Sequence, residues 1–116
     1  MKHQESTIQI NCVKWLRYQY PQLANLFYAI PNGGYRNPVT SKIMKAEGVL
    51  AGVADLFLSY PNKTKHGLYI EMKTKAGKQS EYQKQFQSNV EAVGYQYAVC
   101  HDLIEFIDTI NKYLKE

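Results

Sequence analysis

Apolar residues follow a helical period near both ends of this chain and a strand-like pattern in its middle. From residue 5 to about residue 20 they recur three, four and seven positions apart, which predicts an amphipathic helix that Pro21 ends. The same period predicts a long helix over residues 81–93 and a last helix opened by the capping residue Asp102. The predicted inward stripes are Ile8, Cys12, Trp15, Leu16 and Tyr20 in the first helix, Tyr82, Phe86, Val90 and Val93 in the second, and Leu103, Ile107, Ile110 and Leu114 in the third.

Four short runs rich in aromatic and β-branched residues predict strands at residues 26–30, 54–59, 68–73 and 95–100. Residues 61–67 have the composition of a turn, so the second and third strands are predicted to form an antiparallel hairpin. The long helix that follows allows the fourth strand to run parallel to the third. This order of elements predicts an α/β fold with a four-stranded mixed sheet.

A further short helix is predicted over residues 38–47, between the first strand and the hairpin. Asn37 suits its N-cap, Pro38 suits its first position, and Gly48 suits its C-terminal cap. The residues predicted to face inward from this helix are Val39, Ile43 and Ala46.

Three charged residues interrupt the otherwise apolar hairpin: Asp55, Glu71 and Lys73. Because side chains alternate along a strand, Glu71 and Lys73 share one face. All three share that face if the hairpin pairs Asp55 opposite Glu71 or opposite Lys73, whereas a slip of one residue turns Asp55 away. Neighbouring carboxylates on a buried sheet repel each other and are costly to bury, and a divalent cation relieves both effects. The alternative is a solvated edge hairpin with a surface ion pair worth about 0–1 kcal/mol.

The wider sequence around these residues resembles a known nuclease family. The resemblance rests on five segments in a fixed order: IPNGGYR at residues 30–36, EG at 47–48, AGVADL at 51–56, YIEMKT at 69–74 and SEYQ at 80–83. Together they are similar to the VRR-NUC family of stand-alone phage and bacterial nucleases, within the PD-(D/E)xK superfamily. The resemblance covers almost the whole chain. One departure is Ala54, where the family has proline, a residue that carries no chemistry there.

The resemblance implies a restriction-endonuclease-like α/β/α core and a metal-dependent DNA endonuclease that hydrolyses phosphodiester bonds. The implied cation is Mg²⁺ or Mn²⁺, held by Asp55, Glu71, the carbonyl of Met72 and Glu5. Asp55, Glu71, Lys73 and Gln83 are the implied catalytic residues. The implied DNA-binding residues are Asn32, Gly33, Arg36, Lys42, Lys45, Lys75 and Lys78.

Several of these residues also have a structural interpretation that the sequence leaves open. Glu5 could stabilise the first turn of its helix through the helix dipole, by about 0.3–1 kcal/mol. Gln83 lies three residues after Ser80, which is the spacing of a capping box. The lysines could belong to an ordinary solvated surface.

Length, charge and cysteine content narrow the function only slightly. A chain of 116 residues suits one domain, and we expect residues 1–116 to form it. The net charge of +4 and the pI near 9.0 favour an anionic partner. Cys12 and Cys100 lack metal-ligand spacing, which favours free thiols in a reducing cytoplasm, that of a bacterial host cell if the protein is phage-encoded. The longest mostly apolar run, residues 49–58, is shorter than the ~20 residues of a membrane helix, so we expect no membrane association.

The resemblance further implies branched DNA, such as a Holliday junction, as the substrate. It also implies a homodimer, because two nicks on a branched duplex need two sites. Two other functions stay open on the sequence: a non-catalytic nucleic-acid-binding module on the same fold, and an RNA-processing enzyme. The intact set of Asp55, Glu71 and Lys73 favours catalysis over binding alone.

Overall fold

The structure is a computed structural model that describes residues 3–31 and 37–116, apart from the side chain of His3. The elements in chain order are α1 (His3–Gln19), the 3₁₀ helix Pro21–Leu26, β1 (Phe27–Ala29), α2 (Pro38–Ala46), β2 (Leu56–Leu58), β3 (Leu68–Met72), α3 (Glu81–Ala92), β4 (Gln96–Cys100) and α4 (Leu103–Lys115). Every predicted helix and strand is present, and the 3₁₀ helix is an addition that the periodicity did not predict. Across the parts of the chain that the structure describes, no helix is long and apolar enough to cross a membrane.

The four strands form one mixed sheet in the order β1-β2-β3-β4. The β1–β2 and β2–β3 pairs are antiparallel, and β3–β4 is parallel. The predicted hairpin and the predicted parallel fourth strand are both confirmed. Parallel neighbours need a crossover connection, which α3 provides between β3 and β4.

The main hydrophobic core lies between one face of this sheet and the helices α1 and α4. Its fully buried members come from α1, the hairpin, β4 and α4: Cys12, Leu16, Leu56, Leu58, Leu68, Ile70, Cys100, Phe106, Ile110 and Tyr113. The rings of Trp15 and Phe27 have centroids 6.1 and 5.9 Å from that of Phe106, so aromatic packing joins α1, β1 and α4.

Helix α4 buries a slightly different stripe from the predicted one. Of the four predicted residues only Ile110 is fully buried, and Leu103, Ile107 and Leu114 are half-buried beside it. The centre of the stripe is taken by Phe106 and Tyr113, whose larger rings fill the space above the sheet. Tyr113 remains satisfied there because its hydroxyl donates to the carbonyl of Tyr60 at 2.6 Å.

Helix α2 has the predicted caps but not the predicted burial. The Asn37 side chain accepts a hydrogen bond from the Thr40 N–H at 2.8 Å, and Gly48 ends the helix with a positive φ of 103°. The prediction that Val39, Ile43 and Ala46 face inward is wrong, because all three are exposed. Within residues 3–31 and 37–116 nothing covers this apolar side of the helix, so its amphipathic pattern does not mark a core contact.

Helix α3 is rotated relative to its predicted orientation. Phe86 and Val90 are half-buried as predicted, but Tyr82 and Val93 are 69% and 63% exposed, so that part of the stripe is wrong. The side that faces the sheet carries Gln83 and Gln87 along with Phe86 and Val90. Gln87 accepts a hydrogen bond from Gln79, which also donates to Glu71 on this face of the sheet.

Candidate active site

The hairpin register brings the predicted site residues to one face. Leu56 pairs with Ile70 and Leu58 with Leu68. Continuing this antiparallel register by one residue places Asp55 opposite Glu71, which is one of the two registers that gather all three charged residues. The face they share is opposite to the apolar face that packs on α1 and α4, and it lies toward α3.

The segment that precedes Asp55 depends on the glycine at position 52. Its φ is +87°, and a Cβ atom at this position would collide with the backbone of Tyr82 at the start of α3. A glycine is needed here for both reasons. The close approach fixes the segment that leads into Asp55 against the N-terminal turn of α3.

Asp55 is held by the strand opposite. Its Oδ2 accepts a hydrogen bond from the Met72 N–H at 2.7 Å, and its own carbonyl accepts one from the Ile30 N–H at 2.8 Å. Burial raises the pKa of Asp55, the Met72 hydrogen bond partly opposes this shift, and the charge of Glu71 adds to it. Ionised Asp55 is thus under electrostatic strain in the metal-free protein.

Glu71 is the one buried charged residue among those the structure describes, with 1% of its surface exposed. Its Oε1 accepts hydrogen bonds from the Tyr97 hydroxyl and from Gln79 Nε2, the latter at 3.3 Å. Its Oε2 is buried and has no hydrogen-bond partner among the residues that the structure describes. The two oxygens of the Glu71 carboxylate therefore differ in their hydrogen bonding.

Lys73 supplies the positive charge of the site. Its backbone N–H donates to the Cys100 carbonyl at 3.0 Å, which extends the pairing of β3 with β4 past Met72. Its Nζ lies 3.8 Å from Glu71 Oε2, within ion-pair range but beyond hydrogen-bond length. The ammonium group therefore lies beside the unpartnered oxygen without satisfying it.

Glu5 was predicted as a metal ligand and Gln83 as a catalytic residue. Glu5, in the first turn of α1, is half-buried, and its charge contributes to the raised pKa of Asp55. Gln83 closes the capping box of α3: its Oε1 accepts from the Ser80 N–H at 2.8 Å, and its N–H donates to Ser80 Oγ at 3.1 Å. The capping prediction is confirmed, while a catalytic role for Gln83 stays a prediction.

Two residues of the site were missed by the sequence analysis. Gln79 lies in a segment that the sequence shows only as a basic connection, and it contacts Glu71 where Gln83 was expected to act. Tyr97 lies on β4 opposite Tyr69, two positions before the partner of Glu71. Strand alternation could have placed Tyr97 on the same face as Glu71, but only once the β3–β4 register was known.

The residues present suit a hard cation, although they do not form a complete cage. Across residues 3–31 and 37–116 no cluster of three or more His, Cys, Asp and Glu side chains is arranged to hold a metal ion. The pair of carboxylates nevertheless fits such an ion, because Glu71 Oε2 is buried without a donor and oxygen ligands are those that Mg²⁺ and Mn²⁺ prefer. The remaining ligands would have to include backbone carbonyls or water.

The predicted DNA-binding residues fall into two groups. Asn32, Gly33 and Arg36 lie outside the described residues. The side chains of Lys42 and Lys45 on α2, and of Lys75 and Lys78 between β3 and α3, are exposed. These four are placed where an anionic backbone could reach them.

The chain was compared with known proteins. The sequence model of the VRR-NUC domain matches residues 3–102, most of the chain. A search of the curated proteins found no match. A solved structure described as a VRR_NUC domain protein resembles the chain with a TM-score of 0.83 and 24% sequence identity, over 96% of this chain and 88% of that one. This likeness supports the restriction-endonuclease-like fold with its mixed four-stranded sheet. The extent of the family match shows that the chain belongs to the VRR-NUC family of nuclease-type domains.

Proposed function

We propose that the protein is a Mg²⁺- or Mn²⁺-dependent DNA endonuclease that hydrolyses phosphodiester bonds. The observation that carries the proposal is the convergence of Asp55, Glu71 and Lys73 on one face, with Glu71 Oε2 buried and unpartnered. Buried side-chain oxygens in native proteins are in the large majority hydrogen-bonded, so this oxygen calls for an explanation. An oxygen without a donor beside a second carboxylate is the arrangement that a cation requires.

Asp55 and Glu71 would hold the cation, with the Met72 carbonyl and Glu5 as further ligands, directly or through water. The bound ion would polarise the scissile phosphate and lower the pKa of a bound water. Asp55 enters this role already oriented, because the Met72 N–H fixes its Oδ2.

Lys73 would act on the attacking water and on the phosphate. Its Nζ would donate hydrogen bonds that orient the water and would offset the negative charge that develops on the phosphate oxygens. The side chain is partly buried, so this charge acts where water screens it less than at the surface. Gln83 would contribute through its amide nitrogen, since its amide oxygen serves the cap.

The exposed lysines would position the DNA without reading its sequence. Lys75 and Lys78 follow Lys73 in the chain, and Lys42 and Lys45 project from α2. Such side chains contact phosphates and fix the register of a duplex. Asn32, Gly33 and Arg36 are proposed to contribute to the same surface.

We further propose a homodimer acting on branched DNA such as a Holliday junction. Two nicks on opposite strands need two sites, and one subunit offers one candidate site in its described residues. Val39 and Ile43 on α2 are exposed with respect to the described residues, which supports association of subunits, because contiguous exposed apolar surface marks interaction sites. The free, buried cysteines Cys12 and Cys100 support a reducing, cytoplasmic setting.

The decisive experiment compares four DNA substrates with purified protein in Mn²⁺: a four-way junction, a flap, a linear duplex and a single strand. Cleavage of the junction by the wild type and not by the Lys73→Ala variant is the expected result. Binding of DNA without cleavage in Mn²⁺ or Mg²⁺ would instead favour the non-catalytic module. Cleavage that survives in Glu71→Ala would remove the assignment of the site.

A further inference from the structure

We infer that Tyr97 and Gln79 are positioning residues that grip one oxygen of Glu71 and thereby present its other oxygen to the metal ion. The inference rests on the proposed function and deepens it, because it concerns how this chain prepares its metal ligand before any ion arrives.

Tyr97 holds Glu71 from the neighbouring strand. Because β4 is parallel to β3 and pairs Glu71 with Val99, the Tyr97 side chain lies on the same face of the sheet as Glu71. Its hydroxyl donates to Glu71 Oε1. Tyr97 is buried, and this burial together with the adjacent carboxylate raises its pKa, so the hydroxyl keeps its proton at neutral pH.

Gln79 holds the same oxygen from the other side and is itself held by α3. Its Nε2 donates to Glu71 Oε1 at 3.3 Å and to Gln87 Oε1 at 3.0 Å, which uses both of its amide hydrogens. Gln87 in turn donates to Glu91 Oε2 at 3.2 Å. A continuous chain of hydrogen bonds thus runs from Glu71 to the surface of α3.

These contacts fix the orientation of the Glu71 carboxylate and place its two oxygens in different environments. Oε1 receives two donors, while Oε2 is buried, has no donor within residues 3–31 and 37–116, and lies 3.8 Å from the ammonium of Lys73. Rotation that exchanged the two oxygens would break the hydrogen bonds from Tyr97 on β4 and from Gln79 in the segment before α3. Asp55 is likewise held at one oxygen, because the Met72 N–H donates to its Oδ2.

Partners that orient a metal ligand commonly change metal affinity by about 10–100-fold when they are removed. We therefore expect this loss in Tyr97→Phe and in Gln79→Ala, measured by calorimetric titration of Mn²⁺ into the metal-free proteins. Matched controls exist for both changes. Tyr95→Phe removes a hydroxyl two residues earlier on the same face, and Gln85→Ala removes an amide that bonds only to Asn89 on the exposed side of α3 among the contacts described. Both controls should bind Mn²⁺ within about twofold of the wild type.

A second readout separates positioning from simple destabilisation. In DNA cleavage assays, the Mn²⁺ concentration that gives half-maximal activity should rise in Tyr97→Phe by the same factor as the dissociation constant. Saturating Mn²⁺ should restore most of kcat. Because Mn²⁺ binding also stabilises folded protein, urea unfolding of metal-free Tyr97→Phe must show that the variant is folded before the metal is added. Because Tyr97 and Gln79 both donate to Glu71 Oε1, the effects of Tyr97→Phe and Gln79→Ala should be non-additive when the two changes are combined.

The outcomes distinguish this inference from the proposed function. Wild-type protein that binds Mn²⁺ while Tyr97→Phe and Gln79→Ala bind it equally well would overturn the positioning role and leave the proposed function standing. Wild-type protein that binds neither Mn²⁺ nor Mg²⁺ would overturn both.

Discussion

At the scale of single residues, the oxygens of two carboxylates account for most of the site's chemistry. Asp55 Oδ2 and Glu71 Oε1 accept hydrogen bonds from the protein, and Glu71 Oε2 accepts none from the part of the chain that the structure describes. Lys73 lies close enough to attract Glu71 but too far to hydrogen-bond with it. Burial and the neighbouring charge of Glu71 raise the pKa of Asp55, so keeping both carboxylates ionised costs stability, and the proposed cation would offset this cost.

Lys73→Ala is expected to reduce kcat for DNA cleavage by about 10²–10⁴-fold, the usual range for loss of a positioned proton-transfer or charge-stabilising group. DNA binding should be almost unchanged, because one ammonium at the cleavage point is a small part of a backbone contact surface. The measurements are single-turnover cleavage and a binding titration in Ca²⁺, an ion that supports binding without rapid hydrolysis.

Lys75→Ala is the matched control for that change, since it removes an exposed lysine two residues away. It should weaken DNA binding modestly and leave the single-turnover rate at saturating protein nearly intact. Equal losses of rate in the two variants would show that Lys73 acts only as one more phosphate contact.

The raised pKa of Asp55 predicts a specific dependence of stability on pH. A carboxyl group whose pKa is higher in the folded than in the unfolded protein binds more protons in the folded state. The free energy of unfolding of the metal-free protein should therefore fall as the pH rises from the ordinary carboxyl range through the raised pKa of Asp55. Asp55→Asn removes this part of the decline, because the amide has no charge to bury and can still accept from Met72.

Urea unfolding of metal-free wild type and Asp55→Asn tests this between about pH 3 and pH 8. The variant should gain stability relative to the wild type as the pH rises. Adding Mn²⁺ at about 100 times its dissociation constant should stabilise the wild type by roughly 2.7 kcal/mol and the variant much less. A stability difference that is constant over the whole pH range would contradict the prediction.

At the scale of secondary-structure elements, the sequence predicted what depends on local chemistry. The caps formed by Asn37, Ser80 and Asp102 depend on residues a few positions apart, and all three are present. The hairpin was predictable for the same reason. Its register was left open between two pairings, because strand alternation alone does not choose between them.

What the sequence could not predict depends on contacts between distant elements. The inward side of α3 is set by hydrogen bonds that join Gln87, Gln79 and Glu71, and apolar periodicity carries no information about such a polar network. Ile43 shows the opposite case, because it fits the apolar period of its helix and is nevertheless exposed. An amphipathic pattern indicates that one side of a helix is apolar but not whether this chain or another covers it.

The capping box of α3 gives a prediction at this scale. Ser80→Ala removes the acceptor for the Gln83 N–H and should lower the free energy of unfolding by about 1 kcal/mol. Ser88→Ala makes the same chemical change at an exposed position inside the same helix, where alanine is the better helix former, and should not destabilise. Urea unfolding at one pH measures both, and equal effects would show that the cap contributes little.

At the scale of the whole molecule, two surfaces lie apart from the main core. One is the site face with its nearby exposed lysines, and the other is the apolar side of α2. A VRR-NUC domain with one site per subunit can cut both strands of a branched duplex only if two sites are brought together. The apolar side of α2 is suited to join subunits, because Val39 and Ile43 are exposed there and their association would bury apolar surface.

The final prediction concerns this association. Wild-type protein should sediment at micromolar concentration with a mass roughly twice 13.4 kDa. Ile43→Glu places a charge on the apolar side of α2 and should give monomers, since burying an unpaired carboxylate in an interface costs several kcal/mol. Ile104→Glu is the matched control, because Ile104 is also an exposed isoleucine, on α4. The Ile43→Glu monomer should lose paired cutting of a four-way junction while still nicking it slowly, because each site remains intact. A wild type that stays monomeric, or a dimer that Ile43→Glu leaves unchanged, would count against this interface.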